Sequence, residues 1–362
     1  MERQTEPMRI GKLEENILKR AVLRPMQKAG GQPGAGKLRT EAPKKDHPDG
    51  GSLQGQENLW KTACIGPLPG YEQVPEMQVT AAANRLWAQG AVPVRLGIHA
   101  LLPPSHEERD LKQTMTDLRK TAETEGFASC DGHTQVTDAV SRPLFTVTGF
   151  GRQPEKEKTL RQVRPLRAGD TLILTRWIAL AGTAALAAYA PEKELHRLPF
   201  SIREEAKRFR NLASVASEAR TLLLCGEGAN RPGSAQDLFL YDLSQGGILG
   251  ALRVVTEKAG TGLEADLKAI PIRQETIEIC ELFDLNPYEL YSAGSLLIGT
   301  AEPEAVLAEL EQQGVPACVI GQTTAGKDRT LRNGEDIRFL DRVPQDAWYK
   351  RTGTEIPDGR AR

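Results

Sequence analysis

The chain has 362 residues, which is long for a single core and fits two domains of ordinary size. Hydrophobic residues make up 39% of it and charged residues 26%, a balance that indicates a globular protein and excludes disorder along most of the chain. The 47 Lys and Arg residues nearly balance the 48 Asp and Glu residues. The resulting net charge of −1 gives no general reason to expect nucleic acid or a membrane as a partner.

The cysteines and the apolar runs exclude further classes of protein. The five cysteines are scattered, odd in number and free of any CxxC spacing, so they predict reduced, buried thiols and not a disulfide framework or a zinc site; they are Cys64, Cys130, Cys225, Cys280 and Cys318. No run of eighteen apolar residues predicts a transmembrane helix. Residues 1–11 are charged and lack the apolar region of a secretory signal, so a cytoplasmic location is expected.

Two different segments precede the first predicted core element. Apolar residues at roughly helical spacing predict an amphipathic helix over residues 10–24. Residues 27–56 are rich in Gly, Pro, Lys and Asp, which predicts a mobile loop. This loop contains a GxxxxGK match ending at Lys37, but Leu38 stands where a phosphate-binding loop has Ser or Thr, and no strand precedes it. The match therefore favours a flexible loop over a nucleotide-binding one.

The first half of the ordered sequence predicts two helices and two strands. One helix carries apolar residues from Val79 to Trp87 and ends at Gly90; the other repeats them at intervals of four, three and four and ends at Gly126. Strands are predicted at 96–102 and 143–151. The polar stretch 152–164 before Pro165 predicts a domain boundary.

The second half predicts more strands and helices, in irregular alternation. Strands are expected at 171–175, 222–224, 237–241, 295–300, 317–321 and 337–340. Helices are expected in the Gly/Ala-rich stretch after residue 175 and at 247–260, 274–283 and 303–313. Because strands and helices do not alternate regularly as in a βαβ series, the prediction is an α+β fold with antiparallel or mixed sheets covered on one face by helices.

Two short motifs are candidates for chemistry, and each has a structural alternative. Residues 131–136 (DGHTQV) form a predicted turn in which Gly132 lets amides approach an anion and His133 could bind a metal or a proton; a single His in a turn is also a common structural residue. Residues 242–247 (DLSQGG) lie between a predicted strand and a helix, where free amides suit phosphate. A plain helix cap explains the second motif equally well.

Taken together, these segments resemble the superfamily of aminoimidazole ribonucleotide (AIR) synthase, the PurM-like proteins, and most of all the branch of the hydrogenase maturation protein HypE. The matching segments lie in roughly residues 60–345: 78–93, 132–136, 169–175, 182–183, 241–252, 271–272, 280–281, 285–290, 294–297 and 319–321. The resemblance divides the chain into an N-terminal helix and loop at 1–56, an N-terminal domain at 57–160, a C-terminal domain at 165–345 and a tail at 346–362.

The resemblance implies a two-domain α+β fold whose N-terminal sheet-forming domain pairs with its twin in a homodimer. It also implies ATP and Mg²⁺ in a cleft, and phosphorylation of an amide or carboxylate-type oxygen. The residues carried over as nucleotide contacts are Asn84, Arg85, His133, Thr134, Asp242, Gly246 and Gly247, with Asp242 and His133 as metal ligands. A maturation-protein partner is implied as well.

The sequence departs from the family pattern at the positions that face the metal. An Asn-Asp pair becomes Asn84-Arg85, a Gly-Asp-Thr becomes Gly132-His133-Thr134, and Gln245 replaces a Glu before the two glycines. The early Gly-rich segment with acids has no counterpart, and the chain given ends without the cysteine that HypE modifies. Because Mg²⁺ depends on carboxylates, two hypotheses follow: a degenerate member with weak or no ATPase chemistry, or an active ATP-dependent enzyme.

Overall fold

A computed structural model describes residues 60–72, 74–154, 160–224 and 236–352. The predicted helix at 10–24 and the predicted loop at 27–56 lie outside these ranges, as does Cys225. The described residues all belong to one compact unit. No helix among the described residues is long and apolar enough to cross a membrane.

The first part of this unit is a four-stranded sheet with two helices. Its strands are β1 (Trp60–Ile65), β2 (Val92–Leu102), β3 (Ser129–Val136) and β4 (Leu144–Arg152), in the order β1-β4-β2-β3. Only the β2–β3 pair is parallel. The helices are α1 (Glu76–Ala88) and α2 (Glu108–Thr124).

Helix α1 lies directly against this sheet. A Cβ atom added at Gly149 would stand 3.2 Å from the Ala82 side chain and 3.1 Å from Leu86, so the glycine in β4 lets the helix approach closely. Phe150, the next residue on the strand, therefore faces away from α1, and it is 37% exposed. The sheet thus has one covered face and one open face.

Strand β3 corrects the prediction of a turn at 131–136. All eight of its residues are exposed, so no apolar alternation marks it in the sequence. It exists because its backbone pairs in parallel with β2 over eight positions, with His99 opposite His133. A strand at the edge of a sheet needs only one hydrogen-bonding neighbour and no buried side chain.

The second part is a mixed seven-stranded sheet in the order β11-β10-β7-β9-β5-β8-β6. Its strands are β5 (Thr171–Thr175), β6 (Phe239–Asp242), β7 (Gly262–Asp266), β8 (Leu296–Thr300), β9 (Ala317–Thr324), β10 (Arg329–Asn333) and β11 (Asp336–Phe339). Only the β7–β10 pair is parallel. Strand β8 is wholly buried, as its unbroken apolar run requires.

Eight helices accompany this sheet among the described residues. They are α3 (Leu180–Tyr189), α4 (Glu192–Leu195), α5 (Phe200–Arg208), α6 (Ala216–Leu223), α7 (Gly247–Ala259), α8 (Gln274–Leu282), α9 (Pro303–Gln312) and α10 (Ala347–Thr352). Single 3₁₀ turns occur at Phe209–Leu212, Leu267–Ala269 and Pro287–Glu289. The predicted α+β class is confirmed.

One strand prediction is wrong, three strands were not predicted, and the prediction for the cysteines is wrong in part. Leu222 and Leu223 end α6, with Leu224 as its extended cap residue, and form no strand, because Ala219, Leu222 and Leu223 bury one helical face. Strands β1, β7 and β10 were not predicted. The four described cysteines are free, but Cys64 and Cys130 are exposed and only Cys280 is buried.

The segment between the two sheets is held by two arginine–carboxylate pairs. Arg164 forms two bonds of 2.7 and 2.8 Å with Asp170, and both side chains are buried. Arg161 forms two bonds of 2.6 and 2.7 Å with Glu309 on α9. Such paired bonds fix direction as well as distance, so the segment is anchored to the second sheet.

Candidate functional site

The candidate site begins with an ion pair between elements of the two sheets. Arg85, near the end of α1, donates from Nε to Oδ1 of Asp242 at the end of β6, over 2.7 Å. The Asp242 side chain is only 4% exposed, whereas that of Arg85 is 34% exposed. The nearby negative charge of Asp242 raises the pKa of Arg85 above its ordinary value, against the effect of burial. Asp242 is therefore neutralised by a cation that belongs to the chain.

The second component is the start of α7, where the sequence predicted amides for a phosphate. Gly246 and Gly247 have φ angles of +83° and +61°, a conformation that side chains disfavour. A Cβ atom at Gly247 would lie 2.4 Å from the Tyr288 carbonyl oxygen. The amide of Gly246 does not point into open space, because it donates to Oδ2 of Asp346 over 2.8 Å.

Asp346 is the acceptor at this helix start, and it lies just before α10. Its carboxylate is buried and also accepts from the amides of Trp348, at 3.0 Å, and Tyr291. Burial raises its pKa to about 6, while the three amides oppose that change. A carboxylate held by amides at a helix start occupies the place that suits an anionic ligand.

Tyr291 lies among these charged groups. It is 1% exposed, and its hydroxyl has no hydrogen-bond partner in the described structure. Burial raises its pKa well above the ordinary value; the charges of Asp242 and Asp346 act in the same direction, and Arg85 acts against them. Sequence analysis did not find Tyr291 or Asp346, because neither lies in a motif and both meet the site through distant parts of the chain.

Asn84 precedes Arg85 on α1 but has a different role. Its side-chain amide donates to the Ala213 carbonyl at 2.8 Å, and its oxygen accepts from the Val215 amide at 3.0 Å. Both ends of this buried side chain are thus engaged by backbone. Asn84 joins α1 to the segment before α6, and its contact with a nucleotide stays a prediction.

His133 and Thr134 lie on β3, an exposed edge strand of the four-stranded sheet, while Asp242 lies on β6 at an edge of the seven-stranded sheet. Within the described ranges, no group of three or more His, Cys, Asp and Glu residues could hold a metal ion. Asp242 and His133 lie on strands of different sheets, and the metal role of this pair stays a prediction. Arg85, Asp242, Gly246 and Gly247 are the predicted residues that gather in this region.

A family model, a curated relative and two solved structures are similar to this chain. The family model of AIR synthase related protein, C-terminal domain, matches residues 167–332. Carbamoyl dehydratase HypE of Rhodobacter capsulatus is 27% identical over 261 residues, which cover 70% of each chain. Two solved structures have this fold, HypE in complex with ATP and a HypE–HypF complex.

The ATP complex has a TM-score of 0.59 at 19% identity and covers 94% of this chain and 98% of that chain. The HypE–HypF complex has a TM-score of 0.58 at 18% identity and covers 78% of this chain and 90% of that chain. At these identities the likeness of the structures concerns the fold alone. The family model, the curated relative and the shared fold agree: residues 167–332 match an AIR synthase related C-terminal domain, and the chain as a whole is similar to HypE.

Proposed function

We propose that this chain is a degenerate HypE-like protein that binds an anion or nucleotide and supports little or no ATPase chemistry. The observation that carries the proposal is the 2.7 Å bond between Arg85 and the buried Asp242. Mg²⁺ is held in such sites by carboxylates together with substrate phosphates. A guanidinium already bound to the carboxylate opposes a second cation at the same oxygen atoms.

The same charge distribution supports anion binding. Arg85 is one-third exposed, so part of its guanidinium can meet a ligand from solvent. Guanidinium groups bind phosphate well, whereas the Gly246 and Gly247 amides at the start of α7 already donate within the chain, to Asp346 and to the Ser244 carbonyl. Binding of a nucleotide phosphate therefore needs no carboxylate-held metal at this site.

The second candidate is an active ATP-dependent enzyme that phosphorylates an amide or carboxylate-type oxygen. The finding that favours it is the curated relative named carbamoyl dehydratase HypE, together with the ATP-bound HypE of the same fold. In that case Asp242 would have to separate from Arg85 and hold Mg²⁺, and Arg85 would pair with phosphate. A role in hydrogenase maturation belongs to this candidate.

Calorimetric titration with ATP, with and without Mg²⁺, separates the two candidates. We expect equal or weaker binding of ATP when Mg²⁺ is added, and no release of phosphate above the buffer rate. Binding in the micromolar range that requires Mg²⁺ would favour the active enzyme. The Arg85→Asp variant is expected to gain Mg²⁺ affinity, whereas Arg95→Asp at an exposed pair on β2 is the matched control.

We also propose that the chain forms a homodimer through the open face of the four-stranded sheet. Trp60, Leu144 and Phe150 lie on that face and are 47%, 36% and 37% exposed, more than apolar residues of a core element usually are. Light scattering should show a dimer that Phe150→Glu weakens. Phe339→Glu, at a 62% exposed residue of β11, is the control expected to leave the mass unchanged.

We also propose a partner protein of the HypF type, because the HypE–HypF complex contains a chain with the fold described here. Co-purification with a HypF-type protein tests this proposal. Absence of a complex at micromolar concentrations would count against a maturation role and leave the anion-binding proposal intact.

A further inference from the structure

The start of α7 is occupied by the chain's own C-terminal segment. Asp346 accepts the Gly246 amide proton at 2.8 Å and the Trp348 amide proton at 3.0 Å. Gly246 and Asp346 are 100 residues apart, so the bond is a tertiary contact and not a local cap. We propose that residues 341–352 are an internal competitor for the anion site, and that Asp346 must leave before a phosphate can reach the Gly246 amide. This inference rests on the proposed anion or nucleotide binding.

Competition follows from the stoichiometry of the hydrogen bond. A backbone amide has one proton, and that of Gly246 is already accepted by a buried carboxylate. The backbone at the start of α7 is also closely packed, since a Cβ atom at Gly247 would lie 2.4 Å from the Tyr288 carbonyl oxygen. It therefore leaves little room for a second acceptor beside Asp346. A phosphate oxygen therefore gains this donor only at the position that the Asp346 oxygen holds.

The segment is held by contacts of the residues that follow Asp346. Trp348 is 7% exposed, and its ring lies so close to Gly70 that a Cβ atom there would be 2.8 Å from it. Ala347 is fully buried, and Lys350 forms an ion pair with Glu289. Beyond Asp346 itself, the segment is anchored by the buried Ala347 and Trp348, the partly buried Tyr349 and one partly exposed ion pair.

Tyr291 gives a second, independent sign that a ligand belongs here. Its hydroxyl is buried and lacks a hydrogen-bond partner in the described structure, a state that costs free energy. Its own backbone amide donates to Asp346, and the charges of both Asp242 and Asp346 act on its hydroxyl, so Tyr291 borders the start of α7. A phosphate has more acceptor oxygens than a carboxylate and could satisfy this hydroxyl after Asp346 has left.

Binding of inorganic phosphate and of ATP to the full chain tests the inference. Asp346→Ala is expected to increase the affinity for both by about tenfold or more, because the competing carboxylate is gone. Asp341→Ala is the matched control, since Asp341 is exposed in the same segment. In the unaltered protein, phosphate is expected to speed hydrogen exchange of the amides at 347–350.

The outcomes distinguish this inference from the proposed function. Equal ATP affinity in the unaltered protein and in Asp346→Ala would overturn the competitor and leave nucleotide binding in place. No binding of ATP or phosphate by either protein would overturn both. If Asp346→Ala does not fold, the exchange experiment decides: unchanged exchange at 347–350 in saturating phosphate would show that the segment stays docked.

Discussion

Two buried aspartates lie in one region of the molecule and are stabilised in different ways. Asp242 is paired with the guanidinium of Arg85, while Asp346 is held by the backbone amides of Gly246, Trp348 and Tyr291. The pKa of Asp346 accordingly rises to about 6, because amide dipoles offset only part of the cost of burial. A full charge fixes a carboxylate in its ionised form, whereas amides leave it close to protonation.

The largest effect is expected at the start of α7, next to the Gly246 amide that holds Asp346. Gly247→Ala places a methyl group 2.4 Å from a backbone oxygen at a φ of +61°, so the unfolding free energy should fall by about 4 kcal/mol or more. Gly250→Ala in the same helix is the control, because its Cβ atom would meet only one atom, at 3.5 Å. Denaturant unfolding of both variants checks this. Equal stabilities would show that the α7 start can rearrange.

Removal of the cation tests the other aspartate. Arg85→Met leaves the buried Asp242 without its partner and should lower the unfolding free energy by about 3 kcal/mol, below the full cost of a buried pair because Arg85 is partly exposed. The double variant Arg85→Met, Asp242→Asn should recover much of this loss. A single variant as stable as the unaltered protein at pH 7 would mean that Asp242 is neutralised by other groups.

The pH dependence distinguishes the two carboxylates. The folded-state pKa of Asp346 is raised from 3.8 to about 6, so the folded protein binds more protons than the unfolded chain between these values. Stability from this group is therefore fully present below pH 4 and is lost as pH rises through 6, by about 2 to 3 kcal/mol. The charged and titratable groups near it are Glu289, Lys350, Tyr291 and Tyr349.

Urea unfolding of the unaltered protein and of Asp346→Asn across pH 4–8 measures this dependence. The unfolding free energy of the unaltered protein should fall relative to that of Asp346→Asn as the pH rises through 6. The contributions of groups that titrate in both proteins cancel in this difference. A difference that is flat with pH would show that the three amides hold Asp346 ionised in both states.

The smallest effect is expected at an exposed pair of the same chemistry. Arg95 and Asp131 join β2 to β3 at 2.7 Å, but their side chains are 57% and 65% exposed. Arg95→Met should cost less than about 1 kcal/mol, since solvent screens such pairs. A loss as large as that of Arg85→Met would mean that burial is not what separates the two pairs.

The sequence predicted most of the fold where apolar periodicity was strong. The helix ending at Gly90, the strand β5 and the helix after Gly246 all carry clear patterns and were located correctly. Strand β3 was missed because its residues are all exposed. The end of α6 was taken for a strand because three consecutive leucines have no visible period.

Only some of the residues of the candidate site were predictable from the sequence. Arg85 and Asp242 stand in segments that resemble known motifs, so their positions drew notice. Asp346 and Tyr291 are ordinary residues in the sequence, and their importance comes from contacts across many residues that no local pattern records. Local sequence gives the donors of the α7 start but not the acceptor that fills it.

The long separations within this site have a consequence for how the protein is made. Arg85 and Asp242 are 157 residues apart in the sequence, and Gly246 and Asp346 are 100 residues apart. Contacts between distant residues form late in folding, and during synthesis the C-terminal one emerges last. During synthesis α7 therefore emerges before Asp346, and the Gly246 amide gains its carboxylate acceptor only when the later segment has been made.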